Sequence, residues 1–361
     1  MNRRIPLFSP KFDHKEIDAA KDALKSHFWA SGAGVGRVSE FEQRFKKFTG
    51  CDECVAVNNG TDALHLALNI LDIKKKEVLV PSLTFVTTVH SILYNEGIPV
   101  FVDVEPGTLC MDPNDLENKI TSHTKAVIPV HFGGLPCNMA RITKISKENS
   151  IHVAEDAAHA CGSKYEGKMI GNISELTSFS FHPVKNLAMP KGGAITISSR
   201  NSKNMRKRLN SLRWCGIDKR QNSFYDVTSL GYNHYMDEIS AAIGIEQLKK
   251  ISKLNATRLE IAKRYHSDLN VSEKMPLSKG CSYHLYWIRV KNRKKVMKEL
   301  RSHGIETGSH YRPVHSMAYY NVKIKLPVTD NIAKEVITLP MHANLKKDDV
   351  DFIIKTVNSL V

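Results

Sequence analysis

Short apolar runs alternate with helical stretches between residues 50 and 200, and this alternation limits the possible fold more than any other feature of the sequence. The runs are rich in valine, isoleucine and phenylalanine, and they lack the polar alternation of a strand that faces water on one side. They cover residues 77–81, 98–104, 125–132, 151–156, 178–182 and 193–197. The pattern predicts an α/β fold with a mostly parallel, mixed sheet sandwiched by helices.

Two buried helices are predicted between these strands, over residues 62–71 and 82–97. Residues 235–268 follow a rough helical period, which fits either one long helix or two helices that meet near Asn255. The sequence then alternates strand, helix, strand and helix. We therefore expect a large domain over residues 1–249 and a smaller C-terminal α+β domain over residues 250–361. About the first 30 residues are expected to pack on the smaller domain.

The charge balance excludes few classes of protein but favours some over others. The chain carries 52 Lys and Arg against 37 Asp and Glu, a net charge of +15, which suits partners that carry phosphate. The basic residues are dispersed, without zinc-finger spacing or an RNA-binding aromatic signature, so nucleic acid is not an expected partner. Neither an apolar run of roughly 18 residues nor a signal peptide is found. We therefore expect a cytoplasmic protein that does not bind a membrane.

Seven cysteines are scattered along the chain, and Cys51 and Cys54 form a C-x-x-C pair. A second pair of Cys or His at zinc-ligand spacing does not follow them. Reduced, buried thiols are therefore expected here, rather than a metal site.

The stretch "NNGTDALHLAL" places Gly60, Thr61 and Asp62 at the start of a predicted helix. Free backbone N–H groups at a helix N-terminus, together with the Thr61 hydroxyl, can hold a phosphate group. The alternative is a plain helix cap, because Thr and Asp cap helices of any function.

The stretch "HVAEDAAHACG" ends a predicted strand in Glu155 and Asp156, at the edge of the sheet where ligands bind in α/β proteins. A carboxylate there can pair with a positively charged ring nitrogen, or it can cap the following turn. His159, three residues further on, either lies over a ligand or satisfies a polar contact in the core.

The stretch "SFSFHPVKN" places Lys185 on the loop that follows another predicted strand, 29 residues after Asp156. Such a lysine is either a solvated charge or the covalent anchor of an aldehyde cofactor. A phosphate site, an acidic strand end and a loop lysine, in this order on an α/β sheet, together meet the needs of pyridoxal 5′-phosphate (PLP).

Several further motifs occur in a fixed order, among them "PSLTFVTT", "EDAAHACGSKYEGKMIG", "FSFHPVKN" and "LGYNHYMDEISAAIGIEQL". In these motifs the chain resembles the PLP-dependent nucleotide-sugar aminotransferases of the DegT type, which have the fold of the fold-type I aminotransferases. The resemblance extends over nearly the whole sequence.

The resemblance implies a role for each matching residue. Lys185 would bind the cofactor covalently, Asp156 would pair with the pyridine nitrogen, and His159 would lie near the phenolate side of the ring. The remaining cofactor contacts would come from Thr61, Asp62 and Ser180 at the phosphate, Phe85 stacked on the ring, and Asn233, which would reach the phosphate of the neighbouring subunit. The family therefore implies a homodimer with shared active sites.

The chain departs from the family near the expected substrate site. Lys191 in "AMPKGG" stands where an acidic residue is usual, and Tyr235 stands where an arginine is common. His310 and Tyr311 lie in a stretch that resembles the loop that contacts sugar or nucleotide. His310, Tyr311 and Lys191 are therefore the candidate substrate residues.

The function implied is transfer of an amino group from L-glutamate to a nucleotide-linked keto-deoxy-sugar, at C4 in preference to C3, in the synthesis of cell-surface polysaccharide or glycoconjugate sugars. Two alternatives remain at this point. One is a PLP-dependent sugar dehydratase, although that branch of the family has histidine in place of the lysine. The other is a non-catalytic regulatory or nucleic-acid-binding protein on the same fold.

Overall fold

A seven-stranded sheet forms the centre of the protein, for which a computed structural model describes residues 4–221, 224–320 and 322–361. The strands, in chain order, are β1 (Glu53–Val57), β2 (Glu77–Pro81), β3 (Ile98–Val102), β4 (Thr124–Val127), β5 (His152–Asp156), β6 (Lys164–Tyr165), β7 (Lys168–Met169), β8 (Leu176–Ser180), β9 (Gly193–Ile197), β10 (Ile217–Gln221), β11 (Phe224–Val227), β12 (Tyr286–Arg289) and β13 (Val336–Leu339).

The helices cover both faces of this sheet and build the C-terminal part. They are α1 (His14–Lys25), α2 (Gly36–Thr49), α3 (Gly60–Ile70), α4 (Val86–Tyr94), α5 (Pro113–Asn118), α6 (Met139–Glu148), α7 (Ser202–Arg213), α8 (Glu238–Asp268), α9 (Arg293–Ser302), α10 (Pro327–Glu335) and α11 (Lys347–Asn358). Single turns of 3-10 helix occupy Phe132–Gly134 and Val314–Ser316.

The strand order of the central sheet is β1-β9-β8-β5-β4-β2-β3. The strands from β8 to β3 are parallel, whereas β9 runs antiparallel to both β8 and β1. This confirms the predicted α/β fold with a mostly parallel, mixed sheet. All six predicted strands are present, and the sequence-based prediction missed β1, at the sheet edge.

Successive residues of each strand enter different cores because side chains alternate across a sheet. Val55 and Val57 of β1 pack in the core beneath α3, whereas Cys54 and Ala56 pack with the phenylalanines of α2. Both cores are apolar, so a strand between them shows no polar alternation. This double coverage explains the continuous apolar runs of the sequence.

The long helix predicted over residues 235–268 is α8, which begins at Glu238 and is not broken near Asn255. The Asp237 side chain caps its first turn by accepting a hydrogen bond from the Ser240 N–H at 2.7 Å. The helix leads into a unit built from the β12–β13 pair, α9 and α11. Since α8 runs through residues 249 and 250, the division into two domains there stays a prediction.

The N-terminal segment before α1 lies against this C-terminal part. Ile5 forms a parallel β-bridge with Ile305, and the Pro6 carbonyl accepts a hydrogen bond from Nε2 of His342 at 3.1 Å. The ammonium group of Lys11 donates to the carbonyl of Ala343 at 3.2 Å. These contacts hold the segment in an extended course, with the Phe8 ring stacked on the ring of His284 just before β12.

Within residues 4–221, 224–320 and 322–361, no helix has the length and apolar character needed to cross a bilayer. The seven cysteines are unbridged, and six are buried, whereas Cys215 is exposed.

Candidate active site

A cavity of about 310 Å³ opens where β5 and β8 end and where α3 and α4 begin. It is lined by nine of the residues predicted from the sequence: Gly60, Thr61, Phe85, Asp156, His159, Ser180, Lys185, His310 and Tyr311. Asp62, Lys191 and Asn233 are not among its lining residues. Residues from distant parts of the chain thus meet at one edge of the sheet, where α/β proteins bind their ligands.

The N-terminus of α3 points at this cavity. Its cap is Asn59, whose side chain accepts a hydrogen bond from the Asp62 N–H at 2.9 Å, so neither Thr61 nor Asp62 is the cap. The first N–H groups of a helix have no partner within the helix. Among the described residues, the N–H groups of Gly60 and Thr61 have no hydrogen-bond partner, so they can bind an anion, with the Thr61 hydroxyl beside them.

Gly60 lies close to Ser180, the last residue of β8. A Cβ atom built on Gly60 would lie 2.7 Å from the Ser180 Cβ, a distance that real side chains do not show. The glycine thus allows the helix to approach the strand, and the hydroxyl groups of Thr61 and Ser180 line the same cavity.

Asp62 turns away from the cavity lining. Its carboxylate accepts a hydrogen bond from Nδ2 of Asn59 at 2.8 Å and lies 3.4 Å from Nδ1 of His234. Burial raises the pKa of Asp62, while His234 and Lys191 oppose the increase. Lys191 itself is exposed, and its positive charge acts on the Asp62 carboxylate.

The neighbouring carboxylates at the end of β5 have different surroundings because they point to opposite faces of the sheet. Glu155 is fully buried and pairs with Nε2 of His131 at 2.7 Å. Asp156 lines the cavity and accepts hydrogen bonds from the Thr88 hydroxyl at 2.8 Å and the Ala158 N–H at 3.0 Å. Burial raises the pKa of Asp156, and these hydrogen bonds and the charge of Lys185 oppose that shift.

Lys185 follows β8 on a tight turn in which its N–H donates to the His182 carbonyl at 2.8 Å. The loop is fastened by Asn186, whose Nδ2 donates to the Ser282 carbonyl at 2.7 Å and to Oδ1 of Asn255 at 2.8 Å. Burial lowers the pKa of Lys185 to about 8, and the Asp156 carboxylate opposes this change. An amine with this pKa is partly uncharged near neutral pH, which a nucleophile or a proton carrier requires.

His159 is held through both ring nitrogens. The Gly133 N–H donates to Nδ1 at 3.3 Å, and the Tyr311 hydroxyl lies 3.0 Å from Nε2. Burial lowers the pKa of His159 well below its usual range, and Lys185 adds to the effect. His310 lies next to Tyr311, and its Nδ1 is 2.8 Å from the Thr338 hydroxyl. Burial lowers the pKa of His310 to about 4.

Phe85 lines the cavity, whereas Asn233 lies outside it. The Phe85 side chain lines the cavity but is 53% exposed, so one of its faces is free for a flat ligand. Asn233 is exposed and forms an antiparallel β-bridge with Trp214 outside the cavity.

Sequence reasoning missed several lining residues, including Phe8, Thr88, His182 and His284. Nε2 of His284 lies 3.4 Å from Nζ of Lys185, and the Phe8 ring stacks on the His284 ring at a centroid distance of 5.5 Å. The local sequence marks these two residues only weakly as site residues. His284 merely precedes an apolar strand, and Phe8 merely follows a basic N-terminal stretch.

The model of the DegT/DnrJ/EryC1/StrS aminotransferase family matches residues 10–358. The chain belongs to this family. It is a PLP-dependent sugar aminotransferase, which removes the alternative of a non-catalytic protein.

Relatives and solved structures match over nearly their whole length. The chain is 33% identical to GDP-perosamine synthase of Escherichia coli O157:H7, over 98% of each chain. It is also 33% identical to the spore coat polysaccharide biosynthesis protein SpsC of Bacillus subtilis, over 100% of this chain and 98% of the relative. The structure of Spr1654 from Streptococcus pneumoniae in its PLP form superposes with a TM-score of 0.93, at 30% identity over 99% of this chain and 98% of the other.

The residues of the aminotransferase fit PLP. The start of α3, where a Cβ on Gly60 would collide with Ser180, offers N–H and hydroxyl donors to a phosphate. The buried carboxylate of Asp156 suits a protonated ring nitrogen, and the lysine near it suits an aldehyde.

Proposed function

We propose that this aminotransferase moves an amino group from L-glutamate to a nucleotide-linked keto-deoxy-sugar, at C4 in preference to C3. The products would serve cell-surface polysaccharide or glycoconjugate synthesis. The observation that carries the proposal is that Lys185 and Asp156 line one cavity with the start of α3.

In this proposal the cofactor is held by residues at the start of α3, at the ends of β5 and β8, and by Phe85. The N–H groups of Gly60 and Thr61, with the Thr61 and Ser180 hydroxyls, bind the phosphate. Asp156 keeps the ring nitrogen protonated, and the Thr88 hydroxyl fixes the orientation of that carboxylate. Phe85 covers one face of the ring. The bound cofactor supplies an aldehyde that takes up amino groups and a ring that withdraws electrons.

Lys185 serves as both anchor and proton carrier. Its Nζ atom, released from the cofactor, takes up a proton and returns it within the cavity. A carrier works best when its pKa lies near the working pH, and the pKa of about 8 satisfies this condition. His159, neutral and held by Gly133 and Tyr311, presents a fixed ring edge beside the cofactor site.

The substrate side of the cavity would be formed by His310, Tyr311 and Lys191. His310 and Tyr311 line the cavity, and Lys191 adds a positive charge near the start of α3. The net charge of +15 also favours a substrate with a diphosphate. The relatives named GDP-perosamine synthase and spore coat polysaccharide biosynthesis protein support an amino sugar made on a nucleotide for a polysaccharide.

The dehydratase alternative is weaker because the chain has kept Lys185. In that branch of the family a histidine replaces the lysine, whereas the proposed amino transfer needs the lysine as anchor and proton carrier.

A homodimer with shared sites is the second part of the proposal. Asn233 lies outside the cavity of its own protomer and forms a β-bridge with Trp214, three residues before the β10–β11 hairpin. Phe224 and Leu230 of this region are 82% and 85% exposed, which is unusual for large apolar side chains. A second copy would cover them and could bring its Asn233 to the phosphate.

The reaction is tested with the PLP-loaded protein. L-Glutamate should convert the absorbance band of bound PLP into that of its amino form, and a 4-keto nucleotide sugar should reverse the change. NMR of the sugar product assigns the carbon that carries the new amine. Amination at C3, or conversion with L-aspartate but not L-glutamate, would contradict the corresponding part of the proposal. In Lys185→Ala the rate should fall by about 10²–10⁴-fold.

The shared site is tested by mixing two inactive variants, Lys185→Ala and Asn233→Ala. If each site takes its lysine from one protomer and its asparagine from the other, mixed dimers regain one intact site and part of the activity. Lys185→Ala mixed with itself is the matched control. The absence of any regained activity in mixed dimers, isolated with two different tags, would place Asn233 in its own protomer's site or in none.

A further inference from the structure

The amino group of Lys185 has one neighbour that the functions described above do not use. Nε2 of His284 lies 3.4 Å from Nζ of Lys185, a long hydrogen bond of the kind that tightens when a site is complete. His284 is 2% exposed and precedes β12 in the C-terminal part, whereas Lys185 follows β8 of the central sheet.

The His284 ring is held in place by its surroundings. Phe8 stacks on it nearly parallel, with ring planes 11° apart, and His159 lies on it at a centroid distance of 4.4 Å. The N-terminal segment that carries Phe8 is fastened to the C-terminal part at Pro6 and Lys11. The ring therefore has little freedom to turn away from Lys185.

The two ring nitrogens of His284 differ in their contacts. Nε2 faces Lys185, whereas Nδ1 is buried without a hydrogen-bond partner in the part of the chain that the structure describes. Leaving a buried polar atom unpaired is unfavourable, because the atom loses its hydrogen bonds to water without replacement. A histidine that bears this cost and aims its other nitrogen at the reactive amine is poorly explained as packing alone.

The protonation states of the region follow from its neighbours. Burial lowers the pKa of His284 well below its usual range, and Lys185 adds to this, so the imidazole is neutral. The titratable and charged groups that face His284 or Lys185 are Asp156 at the end of β5, His159 after it, His182 before Lys185, His310 and Tyr311 in the loop after α9, and Arg258 on α8. Asp156 is the acidic member that opposes the loss of positive charge on Lys185.

We propose that His284 is a positioning residue for Lys185, which accepts a hydrogen bond from the free lysine ammonium group through Nε2 and holds that group at the cavity. The proton of the imidazole is then on Nδ1. This inference rests on the proposed role of Lys185 as cofactor anchor and proton carrier. It assigns to His284 the task of keeping the released amine protonated and in reach for its return.

The test uses the full chain without PLP, so that its readout is independent of turnover. Brief labelling of amines across a pH series, followed by mass spectrometry of the peptide with Lys185, gives the titration midpoint of this lysine. In His284→Phe, which keeps a ring beneath Phe8 but loses Nε2, the midpoint should fall by about one pH unit, or tenfold in proton affinity. His284→Gln retains an acceptor of similar reach and should fall less.

His65→Phe is the matched control. His65 is also buried and also has one ring nitrogen, Nε2, without a hydrogen-bond partner among the described residues, but it lies on α3 and does not line the cavity. This variant should leave the midpoint of Lys185 unchanged. An unchanged or higher midpoint in His284→Phe would overturn the proposal.

A measurement on the unaltered chain keeps the proposal open to refutation even if His284→Phe does not fold. Nitrogen-15 NMR of the histidines reports the tautomer of each ring. A proton on Nδ1 of His284 is expected, and a proton on Nε2 would overturn the proposal. Failure of the anchor assignment looks different: borohydride reduction of the PLP-loaded protein would then leave the Lys185 peptide without cofactor, whatever the tautomer of His284.

Discussion

The hydroxyl group of Tyr311 lies 3.0 Å from Nε2 of His159. Because the Gly133 N–H occupies Nδ1 of that ring, the single proton of the neutral imidazole is on Nε2 and is donated to the Tyr311 oxygen. Burial also raises the pKa of Tyr311 above its ordinary value, so the phenol keeps its proton for another acceptor. The pair thus offers one hydroxyl donor to a ligand in the cavity.

Tyr311→Phe removes this acceptor and leaves a buried imidazole N–H without a partner. We expect kcat to fall about tenfold, with PLP still bound, because His159 loses its fixed orientation. Steady-state kinetics and the absorbance of bound PLP measure the two effects. Tyr165→Phe removes a comparable hydroxyl contact, to Asn138, outside the cavity and should leave kcat unchanged. Equal kcat values for Tyr311→Phe and the unaltered enzyme would contradict this role.

Gly60→Ala should impair cofactor binding more than the loss of a single hydrogen bond. The new methyl group would collide with Ser180 and push the start of α3 away from β8. Equilibrium dialysis of PLP should show an affinity reduced by more than the roughly tenfold expected for Thr61→Ala. Gly107→Ala is the control, since a Cβ there meets nothing within 4 Å. PLP affinity equal to that of Gly107→Ala would refute the role of this close approach.

The free enzyme should gain stability from Lys185→Met at neutral pH. The folded pKa of Lys185, about 8, lies below its ordinary value of 10.5, so the folded state holds fewer protons between these values and stability rises with pH there. The cost of the buried charge, at most about 3 kcal/mol, is fully present below pH 8 and disappears towards pH 10.5. Urea unfolding of both proteins without PLP, across this range, measures it. A stability difference that does not change with pH would disprove the argument.

Lys191→Glu restores the acidic residue that is usual in the family. The new charge would act on the start of α3 together with Asp62, so we expect weaker binding of both PLP and a diphosphate substrate, with the KM for the substrate raised severalfold. The reaction with L-glutamate alone should keep its rate when PLP saturates the site. Lys203→Glu, an equal change of charge on α7, controls for net charge and should leave KM unaltered. A KM that responds equally to both changes would show that only the overall charge matters.

Local sequence patterns predicted most of the sheet, and tertiary contacts explain the departures. The bounds of β2 and β9 agree with the prediction because their apolar runs are covered on both faces. Helix α4 begins four residues later than predicted, at Val86, because the Ser82 carbonyl accepts a hydrogen bond from the Val314 N–H and the Ser82 hydroxyl from the His315 N–H. Asn255 does not interrupt α8, since its side chain bonds to the Cys161 carbonyl and to Asn186.

The site was predictable where its residues share short motifs at the ends of strands. Thr61, Asp156 and Lys185 follow one another in such motifs, and the topology of a parallel sheet brings them together. Phe8 and His284 enter the cavity from segments 276 positions apart that carry no distinctive pattern. Their positions depend on how the N-terminal segment lies on the C-terminal part, which no local pattern encodes.

The hydrogen bond between Pro6 and His342 determines when the site can assemble during synthesis of the protein. The two residues are 336 positions apart, so Pro6 is synthesised well before the histidine to which it binds. At about 5–20 residues per second, the interval is on the order of half a minute. Throughout this time Phe8 cannot take its place over His284, and the cavity stays incomplete on that side. Full assembly of the site is therefore an event that follows translation, although the sheet that carries Lys185 is synthesised well before.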